Sequence, residues 1–201
     1  MAPAQRKALA LSILTVGYNI LEGIASVVAA ALSGSTALFG FGLDSFVESM
    51  SGWVMVWRFW HYGIDAEDKE IAKIERKASR LVSYSFFILG GYVTLAACRS
   101  LYRYEAALPS ILGLGIAIAS VVAMPLLFLA KYRLGKHIGS PSLVADSKET
   151  LACVMLSVAL LIGLGINYLL RIWWADSATA LVIGALIFRE GWLTFEESRT
   201  S

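Results

Sequence analysis

The sequence predicts an all-α, polytopic membrane protein with six transmembrane helices, and three observations lead to that prediction. Of the 201 residues, 58% are hydrophobic and only 16% are charged, whereas a soluble domain carries about 25% charged residues. The apolar residues form runs of roughly the 20 residues that a helix needs to cross a bilayer. The tryptophans lie mostly near the ends of these runs, as interfacial aromatic residues do: Trp53, Trp57, Trp60, Trp173, Trp174 and Trp192.

The apolar runs set the bounds of the six spans. These are residues 8–32, 35–60, 81–101, 110–132, 143–170 and 174–193. Strands are a poor alternative, because a lipid-facing open sheet cannot satisfy its backbone and barrel strands would be shorter and alternate polar with apolar. Six spans with short loops use nearly all of residues 1–201. We therefore expect a single transmembrane domain and no soluble C-terminal domain.

Local features are consistent with this division of the chain. Span 1 follows Arg6 and Lys7, which resemble the basic region of a cleaved signal peptide. Its apolar stretch is longer than the roughly 7–15 residue core of such a peptide, so we expect a membrane span instead. The loop of residues 61–80 mixes acids and bases, which indicates a solvated linker or a short surface helix. In span 4, Pro125 is expected to kink the helix. Cys98 and Cys153 lie within apolar runs, so we expect Cys98 to be buried and no disulfide framework.

Lysine and arginine orient the spans. One set of loops holds thirteen of these residues and the other set holds three, Arg99, Arg103 and Arg171. Because basic loops stay in the cytoplasm, both termini are expected there, and a bacterial inner membrane is the expected location. The net charge of +2 is too small to indicate a nucleic-acid partner.

An internal repeat links spans 2 and 5. The pattern Gly-Ser-x-x-Leu occurs at residues 34–38 and again, 105 residues later, at 139–143. In both copies a polar residue follows the glycine by ten positions and a second one comes four positions later. These pairs are Asp44 with Glu48 and Glu149 with Cys153. Candidate metal ligands therefore fall at equivalent places in the two spans.

The predicted topology brings the two pairs to one depth. Span 2 starts at the outer face and span 5 at the inner face. Ten helical residues cover ~15 Å, which is half of a ~30 Å hydrocarbon core. Asp44 and Glu149 therefore reach the midplane from opposite sides, where transporters built from inverted repeats bind their substrates.

The two pairs form a plausible ligand set for a divalent cation. Residues four apart share a helix face, so Asp44 and Glu48 point one way on span 2, as do Glu149 and Cys153 on span 5. A carboxylate at the bilayer centre costs several kcal/mol unless it is paired or hydrated. A bound cation would remove that penalty, and the thiol favours Zn²⁺, Co²⁺ or Cd²⁺.

Each of these residues also has a reading without a metal. An intramembrane acid such as Asp44 or Glu48 can be protonated or bonded to a neighbouring helix. Glu149 can pair with Lys148 or with another basic residue near the inner face, and a cysteine such as Cys153 is often a small buried apolar residue.

Three further polar residues stay open to either interpretation. Asn19 and Glu22 share a face of span 1 slightly outward of the midplane. They are possible additional ligands or parts of a proton pathway, and Glu22 is equally well explained as a structural hydrogen-bond partner. Asp146, one turn inward of Glu149, either lines an inner access path or pairs with Lys148.

The segments GSTALFGFGLDSFVES and GSPSLVADSKETLAC resemble spans 2 and 5 of the cation diffusion facilitator, or cation efflux, family, and the chain is similar to its short, transmembrane-only branch. That resemblance implies six helices, a divalent cation as substrate rather than cofactor, efflux in exchange for protons, and a homodimer held by membrane helices. Carried over by position, it implies a transport site of Asp44, Glu48, Glu149 and Cys153. The family often has His where Glu149 stands and usually Asp where Cys153 stands, so metal selectivity can differ.

Two other functions are weighed against transport. A membrane-embedded metal-binding or regulatory subunit would use the same ligands without moving the ion. An intramembrane enzyme is disfavoured, because the sequence offers no Ser–His pairing and both histidines, His61 and His137, fall in predicted loops.

Overall fold

A computed structural model describes residues 3–62 and 69–200, and within these the secondary structure is entirely helical. The six helices are α1 (Pro3–Ser33), α2 (Thr36–His61), α3 (Lys69–Tyr102), α4 (Ile111–Ile138), α5 (Pro141–Leu170) and α6 (Ala175–Thr200). The all-helical class and the number of helices are thus as predicted.

Five of the six helices are long and apolar enough to cross a membrane; among the described residues α2 does not reach that threshold. The reason is its composition, because Asp44, Glu48 and several serines and glycines interrupt its apolar residues. Helix α2 is also the central helix and packs against α1, α3, α5 and α6. Large apolar side chains on the other helices, including Leu21, Ile88 and Leu169, are 70–79% exposed, as expected of lipid-facing surface.

Helices α3, α4 and α6 extend well beyond the predicted spans, and α6 ends at Thr200 whereas its predicted span ends at residue 193. Helix α3 begins at Lys69, so most of the mixed-charge segment continues α3 instead of forming a linker; residues 63–68 lie outside the described part. Helix α4 runs past Tyr132 to Ile138 and places His137 in its last turn. On α3, Cys98 is exposed, so the expectation that it is buried is wrong, because its side chain faces outward from the helix bundle.

The repeated Gly-Ser-x-x-Leu pattern is a helix-start signal used twice. Gly34 and Gly139 have φ values of 70° and 65°, a left-handed conformation that favours glycine. The hydroxyl groups of Ser35 and Ser140 then cap α2 and α5 by accepting hydrogen bonds from backbone N–H groups three residues later. Because both helices start in the same way, polar residues at equal distances from the glycines lie at equivalent helix positions.

The first turn of α2 is held by a residue from α6. Asp176 accepts hydrogen bonds from the Ser35 hydroxyl and from the backbone N–H groups of Thr36 and Ala37, the latter two at 2.8 and 3.4 Å. These N–H groups have no partner within the helix. Next to this contact, Ser177 bonds Ser100 of α3 at 2.9 Å. The start of α6 therefore fixes the end of α2 that the charge bias assigns to the outer face.

Close approach of α1 and α2 depends on glycine. A β-carbon at Gly42 would lie 2.9 Å from Ser26 Cβ and 3.1 Å from the carbonyl oxygen of Gly23. We expect Gly42→Ala to destabilise the protein by about 1–3 kcal/mol through overpacking, measured by reversible unfolding in detergent. Gly115→Ala is the matched control, because a β-carbon there meets nothing within 4 Å, and it should be neutral or slightly stabilising. Equal stability of the two variants would contradict this account.

Candidate metal centre

The two predicted ligands of α2 lie inside the bundle. Asp44 and Glu48 are each 3% exposed, so neither carboxylate faces lipid. Burial of an acid without a partner is unfavourable. Even so, Oδ1 of Asp44 and Oε2 of Glu48 have no hydrogen-bond partner among the described residues. Each carboxylate therefore has an uncommitted oxygen in the protein interior.

Glu48 joins α2 to α5. Its Oε1 accepts a hydrogen bond from the Thr150 hydroxyl at 2.9 Å, and the Cys153 thiol interacts with the same carboxylate. Cys153 is 1% exposed and lies within the main apolar core. The structure thus brings together one predicted ligand from each copy of the repeat.

Glu149 lies at the edge of the core, where α5 meets two cavities. It interacts with the Ser51 hydroxyl of α2, while its Oε2 has no hydrogen-bond partner in the described part of the chain. One cavity, of about 100 Å³, lies among α2, α3, α5 and α6, and the other, of about 210 Å³, lies between α5 and α6. Both open near the helix ends that the charge bias assigns to the cytoplasm, so Glu149 can be reached from that side.

The proposed pairings with Lys148 are wrong. Lys148 binds Glu197 of α6 at 2.7 Å, which leaves its charge directed away from α5. Asp146 instead forms an ion pair with Lys131 of α4 at 2.9 Å, and both side chains are nearly inaccessible. Asp146 also lines the smaller cavity, so it has an ion-pair partner and a place on the inner access route.

Asp44 and Glu149 share electrostatic neighbours although they belong to different helices. Glu48 of α2 and Glu190 of α6 each interact with both carboxylates. Among the described residues, however, no three His, Cys, Asp or Glu side chains are close enough to hold a metal ion as they stand. The four-ligand set therefore stays a prediction.

The two polar residues of α1 differ in how well they are satisfied. Glu22 accepts hydrogen bonds from Ser120 and, at 2.9 Å, from Ser45. These contacts agree with its interpretation as a structural hydrogen-bond partner. Asn19 is 1% exposed, and neither its amide oxygen nor its amide nitrogen has a hydrogen-bond partner within the described ranges.

The register of α1 and α2 places Asn19 opposite Glu48. Glu22 bonds Ser45, and Asn19 precedes Glu22 by three residues just as Glu48 follows Ser45 by three. Because the helices are antiparallel, the amide of Asn19 lies at the level of the Glu48 carboxylate. An unsatisfied amide at this level is a suitable further oxygen ligand for a hard or borderline cation.

Sequence reasoning missed two residues of this region. Lys131 lies at the inner end of predicted span 4 and counts among the thirteen basic residues that indicate the cytoplasmic face. It is nevertheless 1% exposed within α4, because its long side chain points into the bundle towards Asp146. Glu190 is 7% exposed on α6. Its position inside predicted span 6 was a usable signal, since acids within spans are rare and functional.

Comparison with known proteins agrees with the resemblance seen in the two repeat segments. A family model of the cation efflux transmembrane domain matches residues 12–201. Transmembrane protein 163 of Xenopus laevis is 23% identical over 190 residues, which cover 93% of this chain and 66% of that protein.

Two Bacillus subtilis proteins are also similar. The manganese efflux system protein MneS is 27% identical and the uncharacterized transporter YdbO 25% identical, each over 129 residues. Both alignments cover 64% of this chain and 44% of the relative, so the chain spans less than two thirds of the length of these curated relatives. The family model, in contrast, extends over nearly all of the sequence. The chain therefore belongs to the cation efflux family.

Proposed function

We propose that this protein transports a divalent metal cation across a membrane, with Asp44, Glu48, Glu149 and Cys153 as its ligands. The observation that supports this most directly is that the carboxylates of Asp44, Glu48 and Glu149 each keep one buried oxygen without a hydrogen-bond partner among the described residues. Asp146 of α5 also lacks hydrogen-bond partners there, but its charge is paired with Lys131. A doubly charged ion bound between the first three carboxylates would supply the missing partner and offset their mutual repulsion. Family membership makes transport the function that such a site serves.

Zn²⁺ is the proposed substrate, with Co²⁺, Cd²⁺ and Mn²⁺ as further candidates. Three carboxylates would suit any of these ions, but a thiolate ligand favours Zn²⁺ and Cd²⁺ over Mn²⁺. The name of MneS assigns manganese to that relative. The preference between zinc and manganese in this chain therefore depends on whether Cys153 binds the ion.

Proton exchange follows from the same ligands. Carboxylates clustered away from water favour their protonated forms when no cation is bound, and metal ions bind the deprotonated forms. One site would thus carry either protons or the metal. Rocking of the helices would open it to each side in turn, and the cavities beside Glu149 would form the cytoplasmic access route for efflux.

The proposal includes a topology that the charge bias supports. Helix α2 also crosses the membrane and thereby brings the number of spans to six. Its 26 residues cover ~39 Å at 1.5 Å per residue, and its acids point into the bundle. Both termini are cytoplasmic, in a bacterial inner membrane. The functional unit is a homodimer held by membrane helices.

Metal flux into liposomes tests the proposed function. Purified protein is reconstituted under an imposed pH gradient, and uptake of Zn²⁺, Co²⁺, Cd²⁺ and Mn²⁺ is followed with a trapped fluorescent indicator. We expect Zn²⁺ uptake that depends on the gradient and exceeds that of protein-free liposomes. Absence of flux for all four ions would contradict transport.

A metal-binding or regulatory subunit is the second candidate. The observation that favours it is that the predicted ligands are not already assembled into one coordination site among the described residues. Equilibrium binding to the same purified protein separates the two functions. Such a subunit would bind the metal without gradient-dependent movement, whereas a transporter would show both.

A further inference from the structure

Lys131 has a position unusual for a lysine, because its ammonium group lies inside the helix bundle. The residue is 1% exposed. Its Nζ forms an ion pair with Oδ2 of Asp146 at 2.9 Å and donates a hydrogen bond to the Thr150 hydroxyl at 2.9 Å. A buried lysine is tolerated only when its charge and its donors are satisfied. Asp146 supplies the charge, and Thr150 connects Lys131 to a predicted metal ligand.

The direction of the hydrogen bonds between these residues follows from chemistry. An ammonium group has donors and no acceptor, so the Thr150 hydroxyl must accept from Lys131. Its single hydrogen is then available for Oε1 of Glu48 at 2.9 Å or for the Asp146 carbonyl at 3.3 Å. The shorter contact and the carboxylate charge favour Glu48. Lys131 thereby orients Thr150, and Thr150 occupies one oxygen of Glu48.

Two consequences bear on metal binding. Thr150 occupies Oε1 of Glu48, which leaves Oε2 as the oxygen of Glu48 without a hydrogen-bond partner among the described residues. The ion pair with Lys131 draws the Asp146 carboxylate away from a cation beside Glu149, which lies less than one helical turn away. The ammonium group also cancels one of the negative charges in this part of the core.

We propose that Lys131 is a positioning residue that limits how tightly the site holds its metal. It withholds the Asp146 carboxylate from the ligand set and, through Thr150, restricts Glu48 to a single coordinating oxygen. This inference rests on the proposed function, because it concerns the same metal site. A transporter must release its ion as well as bind it, and a ligand set limited in this way favours release.

Lys131→Met removes the charge while keeping a long, unbranched side chain. We expect the Zn²⁺ dissociation constant and the KM for flux to fall at least tenfold, because Asp146 and the second oxygen of Glu48 become available. Maximal flux should fall at least tenfold, because the ion leaves slowly. In Lys131→Met/Asp146→Asn, the dissociation constant should return towards the wild-type value. Lys136→Met, at an exposed position of the same helix, should leave both quantities unchanged.

Thr150→Val tests the connection to Glu48 with every charge in place, and it stays informative if Lys131→Met does not fold. It should also tighten binding and slow flux, whereas Thr150→Ser keeps the hydroxyl and should restore wild-type behaviour. A merely structural role would reduce flux without tightening binding. Unchanged or weaker Zn²⁺ binding in both Lys131→Met and Thr150→Val would overturn the inference. Failure of the wild-type protein to bind or move the metal would instead overturn the proposed function.

Discussion

Replacing Asp44 with Asn is expected to reduce metal flux into proteoliposomes more than about 100-fold, since loss of even an outer-sphere partner typically lowers metal affinity 10–100-fold. Asp44 is 3% exposed, and its Oδ1 has no hydrogen-bond partner in the described residues. Asparagine keeps the size of the side chain but removes the charge that attracts the cation. The variant should fold, because a neutral amide is easier to bury than an unpaired carboxylate.

The matched control is Glu105→Gln, which makes the same chemical change at an acid whose side chain is 56% exposed. Its flux should equal that of the wild-type protein. Equilibrium Zn²⁺ binding to detergent-solubilised Asp44→Asn should weaken together with flux. Normal flux in Asp44→Asn, with Glu105→Gln unchanged, would contradict the assignment of Asp44 as a ligand.

The second large effect is expected on stability and comes from Asp176, which lies far from the proposed metal site. Asp176→Ala should lower the free energy of unfolding by about 2–4 kcal/mol, because hydrogen bonds to a charged group contribute about 1.5–3 kcal/mol and buried donors left unpaired add a penalty. The substitution leaves the Ser35 hydroxyl and the first N–H groups of α2 without their acceptor. Reversible unfolding in detergent measures the change.

Asp176→Asn separates charge from capping, because its amide retains one oxygen acceptor. We expect a loss of stability smaller than that of Asp176→Ala. If the Asp176→Ala variant still reconstitutes, its Zn²⁺ dissociation constant should stay close to the wild-type value, because Asp176 binds the start of α2 and not the metal. Wild-type stability of Asp176→Ala would show that other contacts secure this end of α2.

Most of the fold was predictable because lipid imposes a simple rule on sequence. Every spanning segment must be apolar and helical, so the apolar runs indicated six helices, and the start of α2 and α5 was visible in Gly-Ser-x-x-Leu. The boundaries of α3 and α4 were less predictable. Exposed charged residues such as Lys73 and Lys136 continue α3 and α4 beyond the apolar runs, and a hydropathy pattern marks only the apolar part of a helix.

The spacing of residues predicted that acids lie within the helical bundle, because a fixed helical rise converts residue spacing into depth. It indicated Asp44, Glu48, Glu149 and Cys153 as candidate ligands. The side chains that those acids contact became visible in the packing of the helices. Lys131 pairs with Asp146 and not with water, and Asp176 caps α2 from a distant helix. Such partners depend on how helices that are far apart in sequence pack and rotate against one another. The periodicity of a single helix does not predict that packing.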